Sequence, residues 1–148
     1  REVFEIAGGW DERRRQVPDF EFWLRASRHY AFAHVPQRLA EYRIHEGSAS
    51  FQAMSPERAN EIVAVVEGFW QGQEGKTEAC WSLARAFSIS AKNHAQAGRP
   101  GDALSCVVRA LRLHPALALD ASLWRQVLAG FTRRLYYRAR SVFRRARS

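Results

Sequence analysis

Apolar positions change period twice along this chain, and each change marks a change of expected structure. Val3, Phe4 and Ala7 fall at helical spacing, and Gly8-Gly9 supplies residues that let a helix end in a left-handed turn. Pro18 suits the first turn of a second helix, on which Phe20, Trp23, Leu24 and Ser27 recur as the expected buried side. Between Tyr30 and Ile44 the period shortens. Tyr30–Pro36 and Leu39–Ile44 alternate or cluster apolar and aromatic residues around a Pro36-Gln37-Arg38 break, which predicts two short strands forming a hairpin.

Helical spacing returns at Ser55, an N-cap residue followed by Pro56 and by Glu57 in the first turn. The helix Pro56–Trp70 turns Ala59, Ile62, Val63, Val66 and Phe69 inward. A loop at Gly72–Gly75 leads to helices Thr77–Ala97 and Gly101–His114, hinged at Gly98–Gly101. Residues 120–148 form a last helical segment kinked near Gly130. Its end places Phe131, Leu135, Ala139, Val142 and Ala146 on one stripe with arginines around the rest, a basic amphipathic helix. The expected class is α+β, mostly α, in three segments: 1–54, a helical 55–130, and the basic helix 131–148.

Composition narrows this picture. With 148 residues, 47% apolar and 26% charged, the chain is globular and long enough for one core or for a small piece plus a helical module. No apolar run approaches the roughly 18 residues of a membrane span. The opening residues read as a polar amphipathic helix, not a secretory leader, and a start in mid-helix, with Met54 the only Met, reads as a piece of a longer protein. Cys80 and Cys106 have no partner at metal-ligand spacing and read as small buried thiols in a reducing compartment.

The net charge of +8 is concentrated. Residues 131–148 hold seven arginines and no acid, which leaves +1 for residues 1–130. Such a tail suits an anionic membrane face, or its apolar stripe packs against residues 101–130 as a structural helix. It does not suit nucleic acid, because no reading module accompanies it and its aromatics lie on the apolar stripe instead of being offered to bases.

Few residues carry candidate chemistry. Asp19 lies in the first turn of its helix, where the dipole favours an ionised carboxylate, and reads there as a dipole-complementing acid. Glu21 is about 200° round that helix and cannot act with Asp19 on one face. Arg43 and His45 face the same way on an extended segment beside Gly47-Ser48, an arrangement suited to a diphosphate or its metal. Arg13-Arg14-Arg15 is a solvated loop or a patch for an anionic acceptor. His94 and His114 read as surface or satisfied helix histidines.

Three blocks in this order, Gly8-Gly9-Trp10-Asp11-Glu12, then Pro18-Asp19-Phe20-Glu21-Phe22-Trp23-Leu24-Arg25, then Tyr42-Arg43-Ile44-His45 with Ser50, resemble the acceptor-side end of a GT-A-fold inverting glycosyltransferase of family two. The resemblance implies transfer of a sugar from a nucleotide-diphosphate donor to a hydroxyl on a glycan or lipid-linked acceptor, with a divalent cation (Mg or Mn). It further implies a cytoplasmic enzyme, peripheral on the inner membrane face, working in cell-surface polysaccharide or glycolipid synthesis. On it Asp19 is the catalytic base, and Gly9, Trp10 and Asp11 border the acceptor. Arg43, His45 and Ser50 serve the donor diphosphate, with His45 a metal ligand. The family usually has Glu before this Asp, where the chain has Pro18. The aspartates are Asp11, Asp19, Asp102 and Asp120, so the chain has no Asp-x-Asp for metal and diphosphate and is not expected to be active alone. Residues 84–117 are similar to one tetratricopeptide-type unit at Ala91, Ala103, Ala110 and Pro115, with Phe87 and His94 departing from it. The rival expectation is a non-enzymatic helical module that binds protein.

Overall fold

The structure, a computed structural model, describes residues 1–41, 55–125 and 127–132. The chain divides into two compact units, Arg1–Ala53 and Met54–Ser148. Tyr42, Arg43, Ile44, His45 and Ser50 lie outside the described residues, as does the arginine-rich tail from residue 133.

Among its described residues the first unit holds two short helices, α1 (Glu2–Ala7) and α2 (Pro18–Ala26). Their shared core is Ala7, Phe22 and Ala26, with Val3 packed against it. Phe22 is the centre: Phe4 stacks on its ring at 4.9 Å, and Trp10 and Trp23 each lie 5.1 Å from it. The inward face of α2 is therefore Phe22 and Ala26, and not the Phe20, Trp23, Leu24, Ser27 side expected from spacing. Phe20, Trp23, Leu24 and Ser27 instead join Phe32 in an open apolar groove of about 430 Å³. Trp23 meets Phe32 edge-on at 5.8 Å.

The expected hairpin is corrected by the structure: among the described residues the chain is helical or irregular, with no strand. Tyr30–Pro36 and the described start of the second run, Leu39–Glu41, are irregular. A lone two-stranded hairpin is marginal in water, and Pro36 removes a ladder donor. Phe32 gains more by lying against Trp23 on α2. The predominantly helical class stands; the β component finds no support among the described residues.

The second unit is built on α4 (Thr77–Ala97). Helix α3 (Pro56–Phe69) packs on one side of it and α5 (Pro100–Leu113) on another, followed by a 3-10 helix, Pro115–Leu119. Ser55 caps α3 by accepting the Arg58 N–H at 3.3 Å. The α4–α5 turn is made by Gly98 at φ 74°, where the Arg99 N–H reaches back to the His94 carbonyl at 2.9 Å and the Gly98 N–H to Ala95. That pattern closes the last carbonyls of a helix and favours glycine at the left-handed position. Alanines make the seams close: Ala79, Ala84, Ala91 and Ala95 on α4 and Ala103 and Ala110 on α5 are buried. Asp120 caps the next helical stretch through the Ser122 N–H (2.7 Å) and ties it to α4 through Arg85 (3.0 Å).

Residues 121–125 and 127–132 are helical, with Leu123 and Val127 buried. Gly130, expected at a kink, proves to be a point of close packing. A β-carbon there would stand 2.8 Å from the Ala95 β-carbon and 2.9 Å from the Lys92 carbonyl oxygen. Because one obstacle is backbone, Gly130→Ala should destabilise the unit by about 1–3 kcal/mol, the usual cost of overpacking a filled site. Urea unfolding of the full chain followed by far-ultraviolet circular dichroism measures it; a midpoint equal to the parent's would show that the helix can shift away freely.

Candidate functional site

Two blocks of the sequence pattern meet in the first unit, and a residue with no expected role joins them. Glu21 and Arg25 sit one turn apart on α2, with the acid N-terminal, the favourable order for a helical ion pair. The Arg25 Nε donates to Glu21 Oε1 at 2.6 Å and Nη2 to Oε2 at 2.9 Å, a two-pronged pairing that fixes the guanidinium plane. So oriented, Arg25 Nη1 donates to the Ala7 carbonyl and Nη2 to the Gly9 carbonyl at 2.6 Å. The end of α1 and the glycine turn are thus capped from the next helix. Arg25 also lies over the Phe22 ring, 5.7 Å from its centre.

Gly8 has φ 77° and ψ 176°, a conformation that L side chains rarely adopt, and a β-carbon there would meet Arg25 Nη1 at 3.1 Å. The turn and the clasp therefore require each other. Gly9 contributes its carbonyl to Arg25, and Trp10 is half exposed with one face on Phe22.

Asp11 is committed locally. Its carboxylate accepts the Arg13 Nε at 2.8 Å, Nη2 at 3.1 Å and backbone N–H at 3.1 Å, and Arg14 Nε lies 3.5 Å away. The hydrogen bond from the Arg13 side chain chiefly holds its pKa down, from 3.8 to about 2. The Arg13-Arg14 part of the charge run thus serves this turn. An acceptor that uses Asp11 has to share it with two guanidinium groups.

Asp19 stands exposed in the first turn of α2, and its Oδ1 accepts the Phe20 N–H at 2.8 Å. That bond satisfies one of the donors left open at a helix start, and it fits the dipole-complementing role. The side chain is otherwise exposed, so it has the access that proton transfer needs. Arg43, His45 and Ser50 fall outside the described residues. Among those described, no group of three His, Cys, Asp or Glu side chains gathers at metal-binding distance, and no helix is long and apolar enough to cross a membrane.

A second polar cluster, in the other unit, was not singled out by sequence reasoning. Asn60 on α3 accepts at Oδ1 from Ser90 Oγ (2.6 Å) and from His94 Nε2 (3.0 Å), both on α4. His94 is 1% exposed and is one of the bulkiest fully buried side chains of the chain. Cys106 on α5 donates to Ser90 at 3.6 Å, and burial pushes its thiol pKa up, the opposite of an activated nucleophile. Cys80 is only partly buried. The signal available was Ser90 and His94 at helical spacing on the same side as Ala91 and Ala95: two polar residues on an apolar face.

This cluster floors a cleft of about 370 Å³ between α3 and α5. Asn60, Val63 and Glu67 form one wall, and Asp102, Ser105 and Arg109 the other. The Arg109 guanidinium lies over the Phe87 ring at 5.6 Å.

Comparison with known proteins returns no matching family model, no matching curated protein and no matching solved structure.

Two outcomes are expected. Arg25→Met keeps the aliphatic cover on Phe22 but removes the donors. Hydrogen bonds involving a charged group contribute about 1.5–3 kcal/mol, so hydrogen exchange at the Phe4 and Glu5 amides should accelerate by roughly one to two orders of magnitude. Unchanged exchange would mean that the clasp contributes nothing. For Asp11, the depressed folded pKa means that its contribution is present above 3.8 and is lost as pH falls through about 2. Carboxyl-carbon NMR should place its midpoint near 2, and Arg13→Gln should move it back toward 3.8.

Proposed function

We propose that residues 1–54 are the acceptor-side segment of an inverting glycosyltransferase of family two with the GT-A fold. The complete enzyme moves a sugar from a nucleotide-diphosphate donor to a hydroxyl on a glycan or lipid-linked acceptor. The observation that carries this reading is the clasp. Arg25, the last residue of the second block, holds the glycine turn of the first through the Ala7 and Gly9 carbonyls, with Glu21 steering it. The two blocks are thus one structural device, which gives a physical reason for them to occur together, and the device presents Asp19 at an exposed helix start.

In this reading the Asp19 carboxylate takes the proton of the acceptor hydroxyl. That oxygen bonds to the anomeric carbon as the bond to the diphosphate breaks on the opposite face, which inverts the configuration. Gly9, Trp10 and Asp11 border the acceptor, while Arg43, His45 and Ser50 serve the diphosphate. A divalent cation would neutralise charge on the leaving diphosphate. His45 is its candidate ligand, and the described residues supply no cluster for it, so no step here is assigned to it. The basic segment 131–148 adds attachment to an anionic membrane surface.

The alternative, a non-enzymatic helical module that binds protein, draws on the cleft between α3 and α5 and on the bond from Asp19 to the Phe20 N–H. Asp19→Asn separates the two. The amide oxygen still accepts from Phe20, so folding and donor affinity by calorimetry stay at parent levels, while transfer in the complete protein falls about 100- to 10,000-fold. Parent turnover in that variant would remove Asp19 from catalysis.

A further inference from the structure

The cluster around buried His94 in the second unit has one proton position left to assign, and its geometry assigns it. Arg99 Nε lies 3.0 Å from His94 Nδ1 and donates a proton in every accessible charge state, so Nδ1 must be the acceptor. The imidazole proton is then on Nε2, which donates to Asn60 Oδ1. That oxygen also takes the Ser90 hydroxyl, so both of its lone pairs are engaged. Neutral His94 is fully satisfied.

One carboxylate stands beside both members of the Arg99–His94 contact. Asp102 Oδ2 is 3.6 Å from His94 Nδ1 and 3.6 Å from Arg99 Nε, at the first turn of α5. A proton added at Nδ1 would set N–H against N–H across 3.0 Å and expel Arg99. Asp102 is the carboxylate in ion-pair range of that nitrogen among the described residues, and its side chain, 55% exposed, has room to move.

We propose that His94, Arg99 and Asp102 form a proton-operated latch at the α4–α5 turn. Neutral His94 accepts from Arg99, and protonated His94 releases Arg99 and donates to Asp102. The step balances simply: one proton from solvent bonds to Nδ1, one hydrogen bond breaks and one forms. His94 and Asp102 both line the cleft between α3 and α5, so acidification converts its floor from neutral to cationic and draws one acid of its rim inward.

The surrounding groups set the direction. From α3, Glu57 senses the Arg99 charge, and Glu61 and Glu67 lie on the same helix. From α5, Asp102, Arg109 and the Cys106 thiol face the cluster. Residues 127–132, packed on α4 at Lys92 and Ala95, carry no titratable side chain. Burial first, then Arg99, push the His94 pKa below its ordinary 6.5, and Asp102 pulls it up. With the folded value lowered, the closed latch contributes its full stability above 6.5, and that stability is lost as pH falls through the folded value.

Imidazole nitrogen NMR on the full chain, titrated from neutral to acid pH, tests this. The expected result is the Nε2–H tautomer at neutral pH, a midpoint below 6.5, and an Arg99 Nε resonance that moves with that midpoint. Arg99→Gln should raise the midpoint and Asp102→Asn should lower it. Both side chains are partly exposed, 23% and 55%, so both variants retain the core. An Nδ1–H tautomer, a midpoint at or above 6.5, a midpoint unmoved by both variants, or an Arg99 resonance indifferent to the titration would overturn the latch and leave a structural histidine.

Discussion

The second unit depends on how closely its helices approach α4. The inward positions of that helix are largely alanine and serine, so neighbouring backbones come near on more than one side, and Gly130 comes near enough to exclude a methyl group. Close seams leave little room for water. The polar groups admitted to them, Ser90 and His94, therefore need partners, and both find one in the exposed Asn60 at the edge of the seam, since a buried polar group without a partner is costly. The small residues and the hydrogen-bond network are two consequences of the same tight packing.

The first unit meets a related constraint by other means. Two helices as short as α1 and α2 bury little apolar surface against each other. Here an arginine supplies the order, taking up backbone carbonyls at the end of α1 that a longer helix or a β-sheet would have satisfied. Phe22 provides the apolar half of the same contact, and the guanidinium over its ring joins the two halves.

The legible parts of the sequence were those with local causes. Ser55-Pro56 and the Gly98 turn announce helix ends through their own chemistry, so α3, α4 and α5 could be drawn to within a residue or so. The face of α2 could not, because Phe20, Phe22, Trp23 and Leu24 make that helix apolar nearly all round. Which side turns inward was decided by Arg25 and Phe4, not by spacing. Residues 30–41 were misread for a similar reason: clustered aromatics fit a strand or an irregular segment lying on a helix. In the candidate site, the exposed place of Asp19 at a helix start followed from Pro18, whereas the commitment of Asp11 to Arg13 did not. The Asn60–His94 contact joins residues 34 positions apart, and no local pattern announces such a pair. The one-turn spacing of Glu21 and Arg25, by contrast, is a local sign of the clasp.

The order of packing in the second unit has a kinetic consequence. Helix α3 meets α4, α4 meets α5, and α5 meets the 3-10 helix that follows it, so each element docks chiefly on its predecessor in the chain. Such a topology has low contact order, and little loop entropy is lost before a contact forms, the situation in which helical proteins fold in microseconds to milliseconds. Each helix can settle as soon as it emerges during synthesis, with only the hairpin turn at Gly98 to close before α5 finds its seat. Assembly can then proceed from α3 through α5, and the stretch at 120–132, which returns to α4 at Arg85, Lys92 and Ala95, closes the longest loop last.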